Sequence, residues 1–477
     1  MALRKRPIVY FLFATLAVWS VTTYFFLLPR YMKMPSARDG PEELRRRLQY
    51  LEGAIRDQMK EYNKLLDFLM EQKLVTVESG GRSRPDQQQP STIESHQLQP
   101  GPSQQQLDAR ESARLHGALA RDGQPSPDLI AVLVFACNRP LALRNHLDQL
   151  LKLRPSASQF PVMVSQDCRH EETKKTVLSY GDAVTYLEHP DQSEVKLPPK
   201  QKKFAGYYKI ARHYRWALNQ TMYRLKYKTV IITEDDLDLS ADFFEYFLGT
   251  YPLLRLDPTL WCVSAWNDNG KAGTVQNDST LLYRTDFFPG LGWMMRQELW
   301  NELEPNWPET FWDDWMRRPE QRLGRSCIRP EVSRTAISSF GKVGVSKGLY
   351  FEKHLKHIQL NTQPVAFANI DLSYLLKENY DGPFRRRVYE QSTPISQSAL
   401  QQLSGRPEDR SPGPPYRLTY DSKASFKSFA KAFKLMDDFK AGVPRTAYLG
   451  IVPFMYNGMR VYLAPPETWA GYDTTWT

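Results

Sequence analysis

Several features that would place this chain in a familiar class are scarce in its 477 residues. With four cysteines and 34 prolines, it is neither a disulfide-stapled miniprotein nor a collagen. A single stretch is apolar for long enough to span a membrane, which excludes a polytopic membrane protein. The net charge of +10 includes no dense block of lysine and arginine, so we expect no nucleic-acid partner.

Apolar residues are nonetheless plentiful enough for a folded core. They make up 41% of the chain, and aromatic residues make up 12%, which argues against global disorder. At about 150 residues per domain, the length allows roughly three folded units, or fewer if part of the chain is a tether.

The one long apolar run covers residues 8–28 and carries no charge. A bilayer core about 30 Å thick needs roughly 20 helical residues, so this run is long enough to span it. A cleaved secretory signal is the alternative, but its apolar part is shorter, about 7–15 residues, and no A-x-A-like site follows here. We therefore predict a retained transmembrane signal anchor of type II. Residues 1–7 would form a basic cytosolic tail, and the chain after the anchor would lie in a lumen.

Residues 29–127 are predicted to form a stem. Over residues 42–73, apolar side chains follow alternating steps of four and three, which is a heptad seam. Such a seam is typical of a parallel coiled coil that pairs two chains in a homodimer, or of a single amphipathic helix, and both interpretations stay open. The Gln-, Pro- and Ser-rich stretch that follows cannot bury a core, so we interpret it as a spacer. The seam residues are Leu44, Leu48, Leu51, Ile55, Tyr62, Leu65 and Leu69.

From residue 128 onwards, strand-like and helical patterns alternate. Uninterrupted apolar runs bounded by polar residues are typical of buried parallel strands. Their alternation with helices predicts an α/β fold with helices on both faces of the sheet, where ligands bind beyond the carboxyl ends of the strands. The predicted strands are Leu129–Ala136, Phe160–Ser165, Thr229–Thr233 and Leu260–Ala265, and the predicted helices are Leu141–Leu153, Phe204–Tyr227 and one that begins at Ala241.

The last third of the chain is less informative. Residues 391–415 are polar and are predicted to form a surface loop. Two strand-like runs, Ala447–Tyr456 and Met459–Leu463, flank an Asn-Gly pair, which is a strong hairpin signal. We expect a smaller α+β domain over residues 355–477 that packs on a catalytic domain over residues 128–354.

Polar residues follow three of the predicted strands. The third strand runs directly into Glu234, Asp235 and Asp236, and such a concentration of negative charge needs a cation. Hard oxygen ligands at a strand end suit Mg²⁺ or Mn²⁺, with a diphosphate completing the coordination shell. The alternative is an acidic N-terminus for the next helix, near residues 238–240. The other two strand ends carry Arg139 and Asp167.

The four cysteines test the compartment. In a cytosol, Cys137, Cys168 and the nearby His170 would suggest zinc, but their spacing matches no standard ligand pattern. In an oxidising lumen, Cys137 and Cys168 end neighbouring strands and can pair, which leaves Cys262 to pair with Cys327. Two disulfides and no odd thiol agree with the predicted anchor.

Aromatic and acidic residues concentrate downstream. Phe287–Trp293 is a loop punctuated by glycines, and Phe311–Trp315 places Asp313 and Asp314 between two tryptophans. Aromatic rings pack against the apolar faces of sugar rings while carboxylates accept their hydroxyl hydrogen bonds, so this pattern suits a sugar site. Burial beside tryptophan would also raise a carboxyl pKa toward the range of a general base. The alternative is that the tryptophans belong to the core and the acids to a solvated edge.

These residues closely resemble the N-acetylglucosaminyltransferase I family. The resemblance covers the chain from about Leu129 onwards in long uninterrupted blocks, whereas the stem and anchor match in architecture and not in sequence. The matching blocks are Glu234–Asp236, LWCVSAWNDNGK at 260–271, LLYRTDFFPGLGW at 281–293, FWDDWMRRPEQR at 311–322 and VPRTAYLGIV at 443–452.

The resemblance implies a GT-A fold and an inverting transfer of GlcNAc from UDP-GlcNAc. The acceptor would be the α-1,3-linked mannose of Man5GlcNAc2, a high-mannose N-glycan on glycoproteins, with Mn²⁺ as cofactor and the Golgi membrane as location. Two alternatives are a protein O-mannose β-1,2-N-acetylglucosaminyltransferase and a membrane-anchored lectin without activity. The O-mannose family has an extra folded domain where this chain has heptads and spacer, which disfavours it.

The resemblance also assigns roles to individual residues. Asp313 matches the catalytic base, and Asp236 matches the metal ligand that closes an acidic motif of Glu234, Asp235 and Asp236. The other implied donor contacts are Arg139 and Asp167 on the nucleotide, His213 beside uracil, Leu291 and Trp312 beside GlcNAc, and Val345 and Ser346 in a loop that orders over the donor.

Overall fold

The computed structural model describes residues 129–342, 344, 348–403 and 413–477. The predicted anchor at 8–28, the stem at 29–127, and Val345 and Ser346 lie outside the described residues. In the part that is described, every helix is too short or too polar to cross a bilayer. The domain boundary expected near residue 355 stays a prediction.

An eight-stranded mixed sheet forms the centre of the fold, in the order β3-β2-β1-β4-β8-β6-β9-β7. Strand β1 pairs in parallel with β2 and with β4, so three of the predicted strands are direct neighbours. The fourth, β6, is separated from them by the antiparallel strand β8. The strands are β1 Ala131–Ala136, β2 Val162–Gln166, β3 Thr185–Glu188, β4 Thr229–Glu234, β6 Leu260–Ser264, β7 Leu282–Thr285, β8 Trp293–Arg296 and β9 Ser326–Pro330; a separate two-stranded sheet pairs β5 Leu237–Leu239 with β10 Thr335–Ile337.

Helices cover both faces of this sheet, as the sequence predicted. Successive side chains of a strand point to opposite faces, and in β1 the even-numbered apolar residues join one core while the odd-numbered ones join another. Helices α1 and α4 pack on the first core, and α3 and α5 pack on the second. The helices are α1 Pro140–Leu153, α2 Glu171–Leu178, α3 Ala205–Asn219, α4 Phe243–Leu256, α5 Gln297–Leu303, α6 Trp312–Met316, α7 Pro319–Arg322 and α8 Leu349–Lys353.

The long helix predicted over Phe204–Tyr227 is shorter in the structure. Regular α-helix ends at Asn219 and continues as one π-helical turn over Gln220–Arg224. The hydroxyl of Thr221 donates to the carbonyl of Ala217 at 2.9 Å, and such back-bonding weakens a regular helix end.

The last third of the chain has its own apolar core and a four-stranded sheet in the order β11-β12-β16-β15. The predicted hairpin is present, with Asn457 and Gly458 both at positive φ, as a two-residue hairpin turn requires. Its first strand begins at Val452 because Leu449 and Gly450 make a tight turn. The remaining elements are α9 Lys377–Tyr389, β11 Thr393–Pro394, α10 Gln397–Gln402, β12 Tyr416–Thr419, α11 Lys423–Ala432, β13 Phe439–Lys440, β14 Val443–Pro444, β15 Val452–Tyr456 and β16 Met459–Ala464.

The polar stretch at 391–415 is therefore not wholly a loop, because it contains β11 and α10. Ser396 caps α10 by accepting a hydrogen bond from the backbone N–H of Ala399 at 3.2 Å. A single apolar side chain, Leu400, is fully buried beneath this helix. One buried apolar residue and one capping residue do not give a periodic pattern from which a helix can be predicted in a polar segment.

Candidate functional site

Parallel pairing brings three polar strand ends to one edge of the main sheet. Phe135 of β1 is in register with Glu234, and Ala136 with Gln166. The backbone N–H groups of Asp167 and Asp235 then donate to carbonyls of β1 at 3.0 and 3.1 Å. As a result, Arg139, Asp167 and the acids 234–236 occupy the same edge, where α/β sheets bind ligands.

Arg139 pairs with two of the three acids. Its Nη1 donates to Oδ2 of Asp236 at 2.8 Å, and its Nη2 donates to Oδ1 of Asp235. Burial alone would lower the pKa of the guanidinium. The charges of Asp235 and Asp236 outweigh this effect of burial and raise the pKa above its ordinary value. Arg139 therefore stays positive and offsets part of the negative charge that the strand end collects.

Asp235 is buried at this strand end, and Glu234 is partly buried. Burial, reinforced by the charge of Asp236, raises the pKa of Glu234 to about 7. Burial also raises the pKa of Asp235 to about 7, although Arg139 opposes the shift. A hydrogen bond of 2.9 Å from the hydroxyl of Tyr214 reaches Glu234 Oε1.

The acids fit a divalent cation. Asp235 Oδ2 and Asp236 Oδ1 are buried and accept no hydrogen bond from the described residues. Buried carboxylate oxygens without partners are costly unless a cation or water completes them. Within the described ranges, no group of three or more His, Cys, Asp or Glu side chains forms a complete metal cage. The family resemblance implies one protein ligand, Asp236, with diphosphate oxygens for the rest.

The alternative interpretation of these acids, as the N-terminus of the next helix, is wrong. Glu234–Asp236 lead into the short strand β5, and helix α4 begins only at Phe243, with Asp242 as its N-cap residue. The carboxylate of Asp238 instead accepts hydrogen bonds from Asn145 and Gln149 at 2.9 and 2.7 Å.

Both disulfides pair as the sequence analysis expected: Cys137 with Cys168, and Cys262 with Cys327. The first joins the loop that carries Arg139 to the loop that carries Asp167. Cys168 itself has a φ of 73°, a left-handed conformation that L-residues rarely adopt. The disulfide therefore crosslinks the two strand ends and holds a strained turn in place.

Asp167 and His213 both lie next to His189 at the second strand end: His189 Nδ1 is 3.1 Å from Asp167 Oδ1, and the His189 ring centroid is 5.4 Å from that of His213. Burial alone would raise the pKa of Asp167, but hydrogen bonds from His189 and Gln192, with the nearby His213, lower it to about 2. Burial lowers the pKa of His213 to about 3, so its ring is neutral. Its Nε2 lies 2.7 Å from Ser165 Oγ. The pair thus provides one fixed carboxylate and one neutral ring.

Of the two interpretations of the Phe311–Trp315 segment, the structure agrees with the solvated edge for Asp313. Its side chain is 43% exposed, so burial beside tryptophan does not describe it. The reason is that helix α6 turns Trp312 inward and Asp313 outward. Trp312 is buried and stacks on Tyr214 with 4.4 Å between ring centroids, so this ring belongs to the core.

Tyr214 connects the two acidic groups. Burial raises the pKa of its phenol far above the ordinary value, and the charges of Glu234, Asp313 and Asp236 raise it further. The Tyr214 hydroxyl donates to Glu234 at 2.9 Å, and the Tyr214 ring stacks on Trp312, the residue before Asp313, at 4.4 Å. One side chain therefore joins the acids after β4 to the helix that carries Asp313.

Two cations around Asp313 were missed by the sequence analysis. Nη1 of Arg317 donates to both Asp313 Oδ2 and Asp314 Oδ1, each at 2.8 Å. Lys440 of β13 donates to the other oxygen of Asp314 at 2.9 Å. The i, i+4 spacing of Asp313 and Arg317 was a usable signal, whereas nothing local connects Lys440 to an acid 126 residues away.

An aromatic cluster near Asp313 was also missed. Phe311 stacks on Tyr207 at 4.6 Å and meets Phe204 edge-on at 5.4 Å, and all three rings are half-buried. Phe311 has a φ of 47°, and Leu291 has a φ of 52° between two glycines that also have positive φ. Strained backbone of this kind concentrates at functional sites.

Comparisons with solved structures find weak likeness. A mannosyltransferase from Pyrobaculum calidifontis, solved with GDP-Man and Mn²⁺, is 17% identical and has a TM-score of 0.26. The match covers 41% of this chain and 53%, about half, of that one. Residues 1–349 of S. aureus TarS are 13% identical with a TM-score of 0.31, over 44% of this chain and 60% of that one. Both TM-scores are too low to support an argument about this chain.

Comparisons of sequence are far stronger. An Arabidopsis thaliana protein named alpha-1,3-mannosyl-glycoprotein 2-beta-N-acetylglucosaminyltransferase is 41% identical over 340 residues, which are 71% of this chain and 74% of that protein. The GNT-I family model matches residues 92–476, the larger part of the chain and all of the site. This chain therefore belongs to the GNT-I family.

Proposed function

We propose that this protein is an inverting β-1,2-N-acetylglucosaminyltransferase with a GT-A fold. It would move GlcNAc from UDP-GlcNAc to the α-1,3-linked mannose of Man5GlcNAc2, the step that starts hybrid and complex N-glycans. Family membership and the name of the Arabidopsis relative support this reaction. The observation that carries it is the position of Tyr214, which bonds to Glu234 of the acidic motif and stacks on Trp312, the neighbour of the accessible Asp313.

On the donor side, Asp236 would hold Mn²⁺ through its buried Oδ1. When bound, the ion would neutralise charge that develops on the departing diphosphate. Arg139 keeps Oδ2 of the same carboxylate occupied and fixes its rotamer. Asp167 and neutral His213 are placed at the adjacent strand end, where the nucleotide would lie.

On the acceptor side, Asp313 would remove the proton from the O2 hydroxyl of mannose. That oxygen then forms a bond to the anomeric carbon of GlcNAc as the bond from this carbon to the UDP oxygen breaks, with inversion. Arg317 holds Asp313 Oδ2, which leaves Oδ1 for the substrate hydroxyl. The half-exposed side chain is reachable from solvent, as a base for a large glycan must be.

The neighbouring acid provides a matched test of this assignment. Asp313→Asn should lower kcat about 10²–10⁴-fold while UDP-GlcNAc binding is retained, because a positioned base is typically worth that factor. Asp314→Asn should have a much smaller effect, since both oxygens of Asp314 are occupied by Arg317 and Lys440. Near-normal turnover in Asp313→Asn, or an equal loss in both variants, would show that Asp313 is not the base.

Metal dependence has its own test. UDP binding to the wild-type chain should tighten when Mn²⁺ is added, and Asp236→Asn should remove most of that increment. Asn145→Ala is a suitable control, because the Asn145 amide donates to Asp238 at 2.9 Å, outside the acidic motif at 234–236. If UDP affinity is the same with and without Mn²⁺ in both proteins, the role of Asp236 is wrong.

Location and partners complete the proposal. The uncharged run at 8–28 supports a single-pass type II anchor in the Golgi membrane, and the heptads at 42–73 support a homodimer. The two disulfides suit an oxidising lumen. Transfer to an O-mannosyl peptide but not to Man5GlcNAc2 would favour the O-mannose enzyme. Sugar binding without UDP release would favour the lectin.

A further inference from the structure

A second concave site lies in the last third of the chain, outside the catalytic residues. It is a cavity of about 180 Å³ between the segment after β12, the turn before β14 and residues 465–476. Ligand pockets for drug-sized molecules are usually larger, about 300–1,000 Å³, so this volume suits a single small ring. Its aromatic and acidic lining residues are Tyr420, Trp469, Tyr472, Trp476, Asp421 and Asp473.

The walls of this cavity are held in place before any ligand arrives. Tyr420 donates to the carbonyl of Gly450 at 2.8 Å, and Tyr472 donates to Asp286 at 2.7 Å. The Trp469 ring meets the Tyr472 ring edge-on at 4.7 Å. At Gly442, a Cβ would lie 2.4 Å from the carbonyl oxygen of Asp473, so only glycine allows this close approach. Preorganised walls reduce the entropy lost on binding.

The chemistry of the lining is that of a carbohydrate site. Half-buried rings such as Trp469 and Trp476 offer apolar faces to the C–H groups of a pyranose. Hydrogen bonds from Thr475 lower the pKa of Asp473, and those from Ser425 lower the pKa of Asp421, so both carboxylates are ionised at neutral pH. An ionised carboxylate has about four acceptor sites, which leaves capacity for sugar hydroxyls beyond these contacts.

The cavity is connected to the catalytic base through a short segment. Gly442, in its wall, lies two residues after Lys440, and an extended chain covers about 3.3–3.6 Å per residue. Lys440 is the residue that pairs with Asp314, next to Asp313. Arg322 of α7, in the segment that follows Asp313, also lies over the ring of the cavity residue Tyr472, 5.3 Å from its centroid. Both contacts join the wall of the cavity to the segment that carries Asp313.

We propose that this cavity, which we name the aromatic subsite, binds one pyranose of the glycan acceptor at a distance from the mannose that reacts. The proposal rests on the proposed function for the identity of the glycan. The subsite would favour branched acceptors over truncated ones, because a truncated acceptor has no sugar to place there.

The test compares two acceptors at saturating UDP-GlcNAc and Mn²⁺: Man5GlcNAc2, and a disaccharide that keeps only the reactive α-1,3-linked mannose and its neighbour. Trp469→Ala should raise KM for Man5GlcNAc2 about three- to tenfold more than KM for the disaccharide, the value of one aromatic contact. Asp473→Asn should act in the same direction while its amide oxygen still accepts from Thr475. An equal change for both acceptors, or no change, would overturn the proposal.

Controls separate binding from folding and from the proposed reaction. Tyr223→Ala removes a ring that is 42% exposed on the π-helical turn, and it should leave both KM values unchanged. Trp469→Phe keeps a ring and should restore most of the affinity if Trp469→Ala unfolds locally. If the wild-type chain transfers to neither acceptor, the proposed function fails. Calorimetric titration of Man5GlcNAc2 then still decides the subsite, because Trp469→Ala must weaken that binding.

Discussion

The two disulfides offer a way to separate stability from donor binding. Cys137–Cys168 closes a loop of 31 residues, and Cys262–Cys327 closes one of 65. The loop-entropy relation gives about 3.7 kcal/mol for the first and about 4.3 kcal/mol for the second at 25 °C. Replacing either pair by alanine should therefore lower the free energy of unfolding by a similar amount.

Their positions predict different effects on activity. Cys137 and Cys168 connect the loops of Arg139 and Asp167, whereas Cys262 and Cys327 are fully buried and join β6 to β9. Loss of the first disulfide frees the left-handed turn at Cys168 and should raise KM for UDP-GlcNAc. Loss of the second should leave that KM unchanged in the protein that remains folded.

Denaturant unfolding and donor kinetics on the two double-alanine variants measure these quantities in parallel. The comparison should be made at a temperature where both variants are folded, as judged by circular dichroism. The reasoning is refuted if both variants lose stability as expected but share the same donor KM. A rise in donor KM confined to the Cys262→Ala/Cys327→Ala variant would contradict it more directly.

Three further predictions concern single residues. Arg317→Met should lower kcat about 10–100-fold without changing donor KM, because it releases Asp313 from its fixed position; steady-state kinetics with donor varied decide this. Gly292→Ala should destabilise the fold by at least about 1–2 kcal/mol, since φ is +86° and the new Cβ would lie 2.7 Å from Thr335. The depressed pKa of Asp167, about 2 against an ordinary 3.8, means that its stabilisation is present above pH 4 and disappears as pH falls toward 2. The difference in unfolding free energy between wild type and Asp167→Asn should shrink over that range and stay constant above it.

Local patterns in the sequence were enough to find the elements that carry the site. Buried apolar runs predicted β1, β2 and β4, and parallel strands end at one edge, so Arg139, Asp167 and Asp236 could be placed together without coordinates. Adjacent strand ends likewise indicated the disulfide between Cys137 and Cys168. These inferences depend on periodicity and on neighbouring strands, which short segments encode.

Other features depend on contacts between distant segments. The sequence alone could not show that Arg139 already pairs with Asp235 and Asp236, that Tyr214 joins Glu234 to Trp312, or that Lys440 reaches Asp314. It also left open whether Asp313 is buried, because a short helix such as α6 does not reveal from sequence which residues face inward.

The sequence by itself determined the chemistry available to this protein: acids after a buried strand, cysteines that pair, and an acid between tryptophans. Only the tertiary structure decided which charges neutralise one another, which acid is accessible, and that residues 465–476 close an aromatic cavity. The physical reason is that strand and helix periodicity is local. Charge pairing at the site instead joins groups 97 and 126 residues apart, and the cavity is closed by separate segments between residues 420 and 476.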